Sequence, residues 1–389
     1  MPRALGMHIL KRFICSELAA ATQPEWSGMG NYTLDNVELA GCSVVLGENM
    51  QRLEDEPQYW GNDRSQLARL QNRLGLDTRR VAAPGTTASD LCRQAATSLM
   101  QEMRIDRQDV TAIISVTQTP DYLMPGNAYV LHAALGLSKE TVAVDVCQGC
   151  AGFVYGLWLA GMMSRASGNG GVLLCAGDTL SRAANKKDYT TAPIFGDAGS
   201  AAWVRYCPDA ENTYFVLRAD GRELDKLYIP AGGARMPASA ATGAEQTYDD
   251  GSVRSLDDLH MDGVGIFSFT MAEQPQLLRD LMRFSGCDAA SIDYFVMHQA
   301  NRYIVETVAK KSAIPAQKAP MATFSRYGNL NSASIPGVLC GELASVARER
   351  DLNVVLQGFG VGLSWGACQM RLRQACCLEP QIYSPQDKA

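Results

Sequence analysis

The sequence predicts an α/β protein in which helices cover sheets on both faces, and three observations carry that expectation. Short apolar runs recur along the chain, helical patterns fall between them, and no short-period repeat competes. The strand-like runs are 112–116, 142–146, 171–176 and 201–206, then 214–218, 294–297, 353–357 and 368–372. Each is brief and mainly apolar, as suits strands buried on both faces. Of the helical segments, 89–103 follows a threonine-rich start, and 152–165 is apolar nearly all round, as a fully buried helix would be. Segments 274–284 and 299–311 are amphipathic, and 334–350 carries an apolar stripe after a Ser/Asn-rich turn.

At 389 residues the chain exceeds what one simple core holds, so two similar halves are expected, 31–210 and 211–373, parted at a polar break near 207–212. Residues 1–30 read as an N-terminal extension, 374–389 as a polar tail, and 230–255 as a long surface loop. Hydrophobic residues make up 47% and charged residues 20%, ordinary for a globular protein. The net charge of −6 without basic runs argues against nucleic acid as a partner. No apolar run approaches the ~20 residues that span a bilayer, so no membrane partner is expected. Twelve cysteines at irregular spacing suit a reducing, cytoplasmic compartment better than a disulfide framework. The four histidines, His8, His132, His260 and His298, lie at no metal-ligand spacing with them, so no metal is expected.

Four segments carry chemistry. In Cys147-Gln-Gly-Cys150 a strand-like run enters a tight turn and Cys150 falls where a helix begins. The positive end of a helix favours a thiolate, which suits a nucleophile. A buried structural cysteine and a Cys-x-x-Cys redox pair are the alternatives. His298 follows the strand-like run 294–297, where α/β sheets place their chemistry. In Tyr327-Gly-Asn329-Leu-Asn331 either asparagine could project an amide into a site. Gly358-Phe-Gly-Val-Gly362 could offer backbone N–H groups to an oxyanion.

In this order, with His298-Gln-Ala-Asn301, Ser332-Ala-Ser-Ile-Pro336 and Trp365-Gly366, the segments closely resemble the ketoacyl synthase III branch of the thiolase superfamily. Ile194-Phe-Gly-Asp-Ala-Gly-Ser200, Gly263-Val-Gly-Ile-Phe267 and Asn72-Arg-Leu-Gly-Leu-Asp-Thr-Arg-Arg80 extend the resemblance over about residues 32–372. It implies a thiolase-like five-layer αβαβα sandwich of two similar halves, usually a homodimer. It implies an acyltransferase without a cofactor. Cys150 would hold an acyl group, and His298 and Asn329 would handle a malonyl thioester through its decarboxylation. The backbone N–H groups of Cys150 and Val361 would form the oxyanion hole. Met124 would reach into a partner's pocket, and Phe153, Arg73 and Arg302 would contact substrate.

Departures qualify the donor. Val361 stands where fatty-acid-initiating members have a third glycine. Arg69 lies where they stack adenine on tryptophan, and Tyr189 and Tyr303 replace two arginines near the phosphates. Of the two implied partners, acyl-CoA and acyl-carrier-protein thioesters, the second gains from these losses. Acyl transfer to oxygen or nitrogen, and a scaffold subunit, are the competing functions.

Overall fold

The computed structural model describes residues 29–61, 63–249 and 251–385. The expected extension 1–30 lies outside these, apart from Met29 and Gly30. Two sheets dominate. In the first, Val37–Leu46 runs antiparallel to Ala198–Tyr206, which runs antiparallel to Gly171–Asp178. Val110–Val116 then pairs parallel with Gly171–Asp178, and Val142–Val146 closes that edge in parallel. The second sheet orders Asn31–Leu34, Thr213–Ala219, Ser364–Leu372, Leu352–Gly360 and Tyr294–Met297, with only the last pair parallel.

Between the sheets lie the helices Gly152–Ser167 and Ser334–Gly341. Leu157, Val338 and Leu339 pack there with Val44, Ile114 and Val204 of one sheet and Val354, Leu356 and Met370 of the other. Outside the first sheet Ala88–Met103 buries Leu91, Ala95 and Leu99 on Val45, Leu173 and Trp203. Its start is fixed by Thr87 and Asp90, whose side chains each accept from the other's backbone N–H. Outside the second sheet Gly263–Ser285 and Arg302–Lys311 bury Leu277, Leu281, Val305 and Val308 on Phe295 and Val355. Five layers result, as expected. No helix among the described residues is long and apolar enough to cross a membrane, and the eleven described cysteines are free thiols.

The structure differs from the sequence expectation at several elements. The helix expected over 274–284 begins at Gly263 and runs through Pro275. An internal proline costs about 3 kcal/mol, here offset by burial of Leu277, Leu278 and Leu281 on the sheet and by the Asp262 cap on the Gly265 N–H at 2.9 Å. Val37–Leu46, buried at every position, had no counterpart among the expected strands because Glu38 and Gly41 interrupt its pattern. Segment 334–350 forms two helices, Ser334–Gly341 and Ala344–Glu349. The termini exchange halves. Asn31–Leu34 joins the second sheet, whereas Cys376–Cys377 and Gln381–Ile382, in the expected polar tail, pair parallel with Val37–Leu46 of the first. Buried Cys377 and Tyr383 explain why this segment docks.

Candidate active site

Val142–Val146 delivers the chain into the turn that ends at Cys150, and Gly152–Ser167 starts two residues later. The turn is tight. A Cβ on Gly149 would lie 2.3 Å from Gln118 Oε1, so any larger residue there would have to displace the Gln118 amide. From the other side Gly360 presses on Cys150, and a Cβ at that position would fall 2.9 Å from Cys150 Sγ. Cys150 is buried. Its thiol donates to Asn331 Oδ1 at 3.0 Å.

The thiolate expected from the helix start is not what this environment favours. Burial, reinforced by the Asp178 carboxylate, pushes the Cys150 thiol up to about 12, with its own backbone N–H acting in the opposite sense. The helix terminus is outweighed because the sulfur is removed from water and stands near the Asp178 carboxylate.

His298 follows Tyr294–Met297, and its N–H donates to the Gln357 carbonyl at 2.7 Å, which extends the parallel pairing by one residue. The next residue of that neighbouring strand but one, Phe359, meets the imidazole edge-on with ring centroids 5.3 Å apart. Phe359 is flanked by Gly358 and Gly360, the two glycines packed on Cys150. One strand therefore brings the thiol and the imidazole to a common place. Burial pushes the His298 imidazole down to about 3, so it is neutral, and its Nδ1 is buried without a partner. The Gln299 N–H donates to Ser334 Oγ at 2.7 Å and ties the histidine turn to the asparagine segment.

Asn329 is nearly buried and extended against Phe195. Its backbone N–H donates to the Ile194 carbonyl at 2.8 Å, and its own carbonyl accepts from the Gly196 N–H at 3.0 Å. Its Oδ1 accepts from the Asn331 N–H at 2.9 Å. That bond fixes the amide with its acceptor turned inward and its NH₂ left to donate. Gly328 precedes it at φ 80°, with its Cβ position 3.0 Å from the Gly196 nitrogen, which requires glycine on both counts.

Sequence reasoning missed Asp178. It ends the strand Gly171–Asp178 fully buried, and accepts from Ser332 Oγ at 2.5 Å, the Ser332 N–H at 3.3 Å, the Gln118 N–H at 2.7 Å and Thr117 Oγ1 at 3.2 Å. Burial pushes its carboxyl up to about 6 despite these donors. It joins the strand end beside Cys150 to the asparagine segment. The available signal was a lone carboxylate at the carboxyl end of an apolar strand. Asn331, weighed only as a rival to Asn329, stands in the site beside it.

The remaining expected residues separate. Val361 follows Gly360, and its carbonyl lies 2.8 Å from Ser364 Oγ. Arg73 and Arg302 are exposed on neighbouring helices, and Gly75 abuts the Arg302 stem. Arg302 pairs with Glu306 at 2.6 Å, and the adjacent Tyr303 stacks on Phe267. Met124 is 84% exposed in a loop with Tyr122 and Leu123, which are also exposed. Phe153 is fully buried in the core between the sheets. Its neighbours there are apolar residues of both sheets.

A two-half sandwich with a thiol, a neutral imidazole and an asparagine amide gathered between its sheets defines a thiolase-fold acyltransferase. Comparison with known proteins gives the same class. The sequence profile of 3-oxoacyl-[acyl-carrier-protein] synthase III matches residues 144–221, and that of its C-terminal part matches residues 282–372. A putative 3-oxoacyl-[acyl-carrier-protein] synthase 3 of Campylobacter jejuni is 34% identical, with 90% of this chain and 98% of that protein covered. A beta-ketoacyl-[acyl-carrier-protein] synthase III of Symbiobacterium thermophilum is 33% identical over 84% and 94% of the two chains. The crystal structure of a 3-oxoacyl-(acyl-carrier protein) synthase from Burkholderia xenovorans superposes with a TM-score of 0.84 at 30% identity, covering 91% of this chain and 99% of that one. The chain belongs to the 3-oxoacyl-[acyl-carrier-protein] synthase III family.

Proposed function

We propose that Cys150 carries the acyl group and that His298 and Asn329 act on the malonyl thioester condensed with it. The reaction is a decarboxylative Claisen condensation that yields a 3-ketoacyl thioester. The observation that carries this assignment is the convergence on Cys150 of Gly358 and Gly360, which flank the ring against His298, and of Asn331, which holds Asn329. A neutral imidazole and an oriented amide are hydrogen-bond donors rather than bases. Their task is to polarise the malonyl thioester carbonyl and stabilise the enolate left by loss of CO2. The enolate carbon then attacks the acyl carbonyl on Cys150, and the N–H groups of Cys150 and Val361 receive the oxyanion. No step needs a strong base, which agrees with a histidine held neutral.

The acyl group comes from an acyl carrier protein in this reading. Helix Arg64–Leu74 exposes Arg64, Arg69 and Arg73 and bears no acidic residue, and its end packs beside Arg302. Such a surface suits an acidic carrier. The enzyme acts as a cytoplasmic homodimer. Val142–Val146 is an edge strand with Val142 half exposed, and Tyr122, Leu123, Met124 and Tyr129 are exposed in the same half of the molecule. A second copy would cover this apolar edge and bring Met124 to its partner. Light scattering of Val142→Glu should then show a monomer where the native chain shows a dimer.

Intact-protein mass spectrometry with acyl-CoA and acyl-carrier-protein donors tests the chemistry. One acyl mass should appear on the native chain, be absent from Cys150→Ala, and leave as a 3-ketoacyl product when malonyl thioester is added. His298→Ala and Asn329→Ala should acylate normally yet condense about 10²–10³-fold more slowly, the usual loss for one such donor. Discharge by an alcohol or amine alone would instead indicate acyl transfer to oxygen or nitrogen.

A further inference from the structure

The amide that touches the nucleophile is Asn331, which the reaction above leaves without a task. Its Oδ1 lies 3.0 Å from Cys150 Sγ, and its Nδ2 is buried with no partner. The residue is 1% exposed and held at φ 49°, a left-handed conformation that asparagine tolerates better than most side chains. A buried amide satisfied at one end only is costly unless the free end is used in another state.

We propose that Asn331 is a further catalytic residue, an amide that accepts from the Cys150 thiol at rest and, after a half-turn about Cβ–Cγ, donates Nδ2–H to the sulfur as it attacks. Either end of an amide fits the same space, so the turn needs no repacking. In the step served, a bond forms between Cys150 Sγ and the acyl carbon, and the bond from that carbon to the donor sulfur breaks. The thiol proton ends on the departing donor thiol, so no oxidant or reductant is needed. The need for such a donor follows from the site, since burial and Asp178 both oppose a charged sulfur. The other ionisable groups near the nucleophile are His298, held neutral beyond Phe359, and Cys147 in its own turn. The proposal rests on Cys150 as the nucleophile, and its test reads the sulfur directly.

The rate of Cys150 alkylation by iodoacetamide is measured against pH in the native chain and in Asn331→Gly and Asn331→Asp. Glycine suits the backbone and keeps the N–H that holds Asn329, and aspartate keeps the shape. At each pH up to about 9, well below the titration of the native thiol, the rate should fall in both, further in Asn331→Asp, where a carboxylate faces the sulfur. Acylation by the carrier thioester should fall about ten- to hundredfold, as for a lost hydrogen bond to a charged group. Malonyl decarboxylation, which depends on His298 and Asn329, should change less than about threefold. An unchanged alkylation rate in either folded variant, or equal loss of acylation and decarboxylation, would overturn the proposal. Failure of the native chain to acylate would refute the function above while the alkylation profile still decides the role of Asn331.

Discussion

The two halves of the molecule share a strand plan but hold their chemistry in opposite electrical senses. In each, a parallel pair leads into antiparallel neighbours: Val110–Val116 with Gly171–Asp178 in the first, Tyr294–Met297 with Leu352–Gly360 in the second. The first half adds the outer strand Val142–Val146 and with it the turn that bears Cys150. Its buried acids, Cys150 and Asp178, are pushed up by desolvation, whereas the buried base of the second half, His298, is pushed down. The common cause is removal from water, which disfavours whichever form is charged. The thiol and imidazole between the sheets are therefore both neutral near pH 7, and an ion pair between them is not the resting state.

This contrast predicts opposite pH dependence of stability. His298 has a folded value of about 3 against 6.5 in the open chain. The unfolded state binds the extra proton, so the His298 contribution is present above 6.5 and lost as pH falls towards 3, about 5 kcal/mol in all. Denaturant unfolding across this range should show His298→Gln far less acid-sensitive than the native chain. Asp178 works the other way, with a folded value of about 6 against 3.8. Here the folded state binds the proton more tightly, so stability from this group is lost as pH rises from about 4 to 6, about 3 kcal/mol in all. Asp178→Asn should remove that fall. In the native chain the two slopes overlap and partly cancel, so the variants are needed to expose them. Equal pH profiles for native and His298→Gln chains would show that burial does not hold the imidazole neutral.

The halves also differ in how readily the sequence discloses them. Strands 142–146 and 294–297 were legible to the residue because each is a compact β-branched or apolar run between turn residues. The motifs around Cys150, His298 and Asn329 were legible through their order along the chain. Val37–Leu46 was hidden because a buried Glu38, paired with Arg205, breaks an apolar pattern that only the assembled sheet explains. Asp178 was hidden for a related reason. Its partners Ser332, Gln118 and Thr117 come from both halves, and no local pattern records a contact between residues so far apart. The exchange of terminal strands between halves is likewise a tertiary fact.

A smaller effect separates packing from chemistry where the halves meet. Gly360 belongs to the second sheet, yet its missing side chain is what admits Cys150 of the first half, the proposed nucleophile. An alanine methyl there would stand 2.8 Å from Cys150 Cβ and 2.9 Å from Sγ, too close for either atom to stay in place. Overpacking of this kind costs about 1–3 kcal/mol, less than the His298 contribution and at most equal to that of Asp178. Its catalytic consequence is larger than its structural one, because the thiol must leave Asn331 Oδ1 to make room. Gly360→Ala should therefore unfold at slightly lower denaturant, acylate at least about tenfold more slowly, and retain malonyl decarboxylation, since His298 and Asn329 are positioned by Gln357, Ile194 and Asn331 rather than by Gly360. If acylation and decarboxylation fell together, the strand from Leu352 to Gly360 would be shown to shift as a unit, and the two halves would be mechanically coupled at this glycine rather than merely in contact.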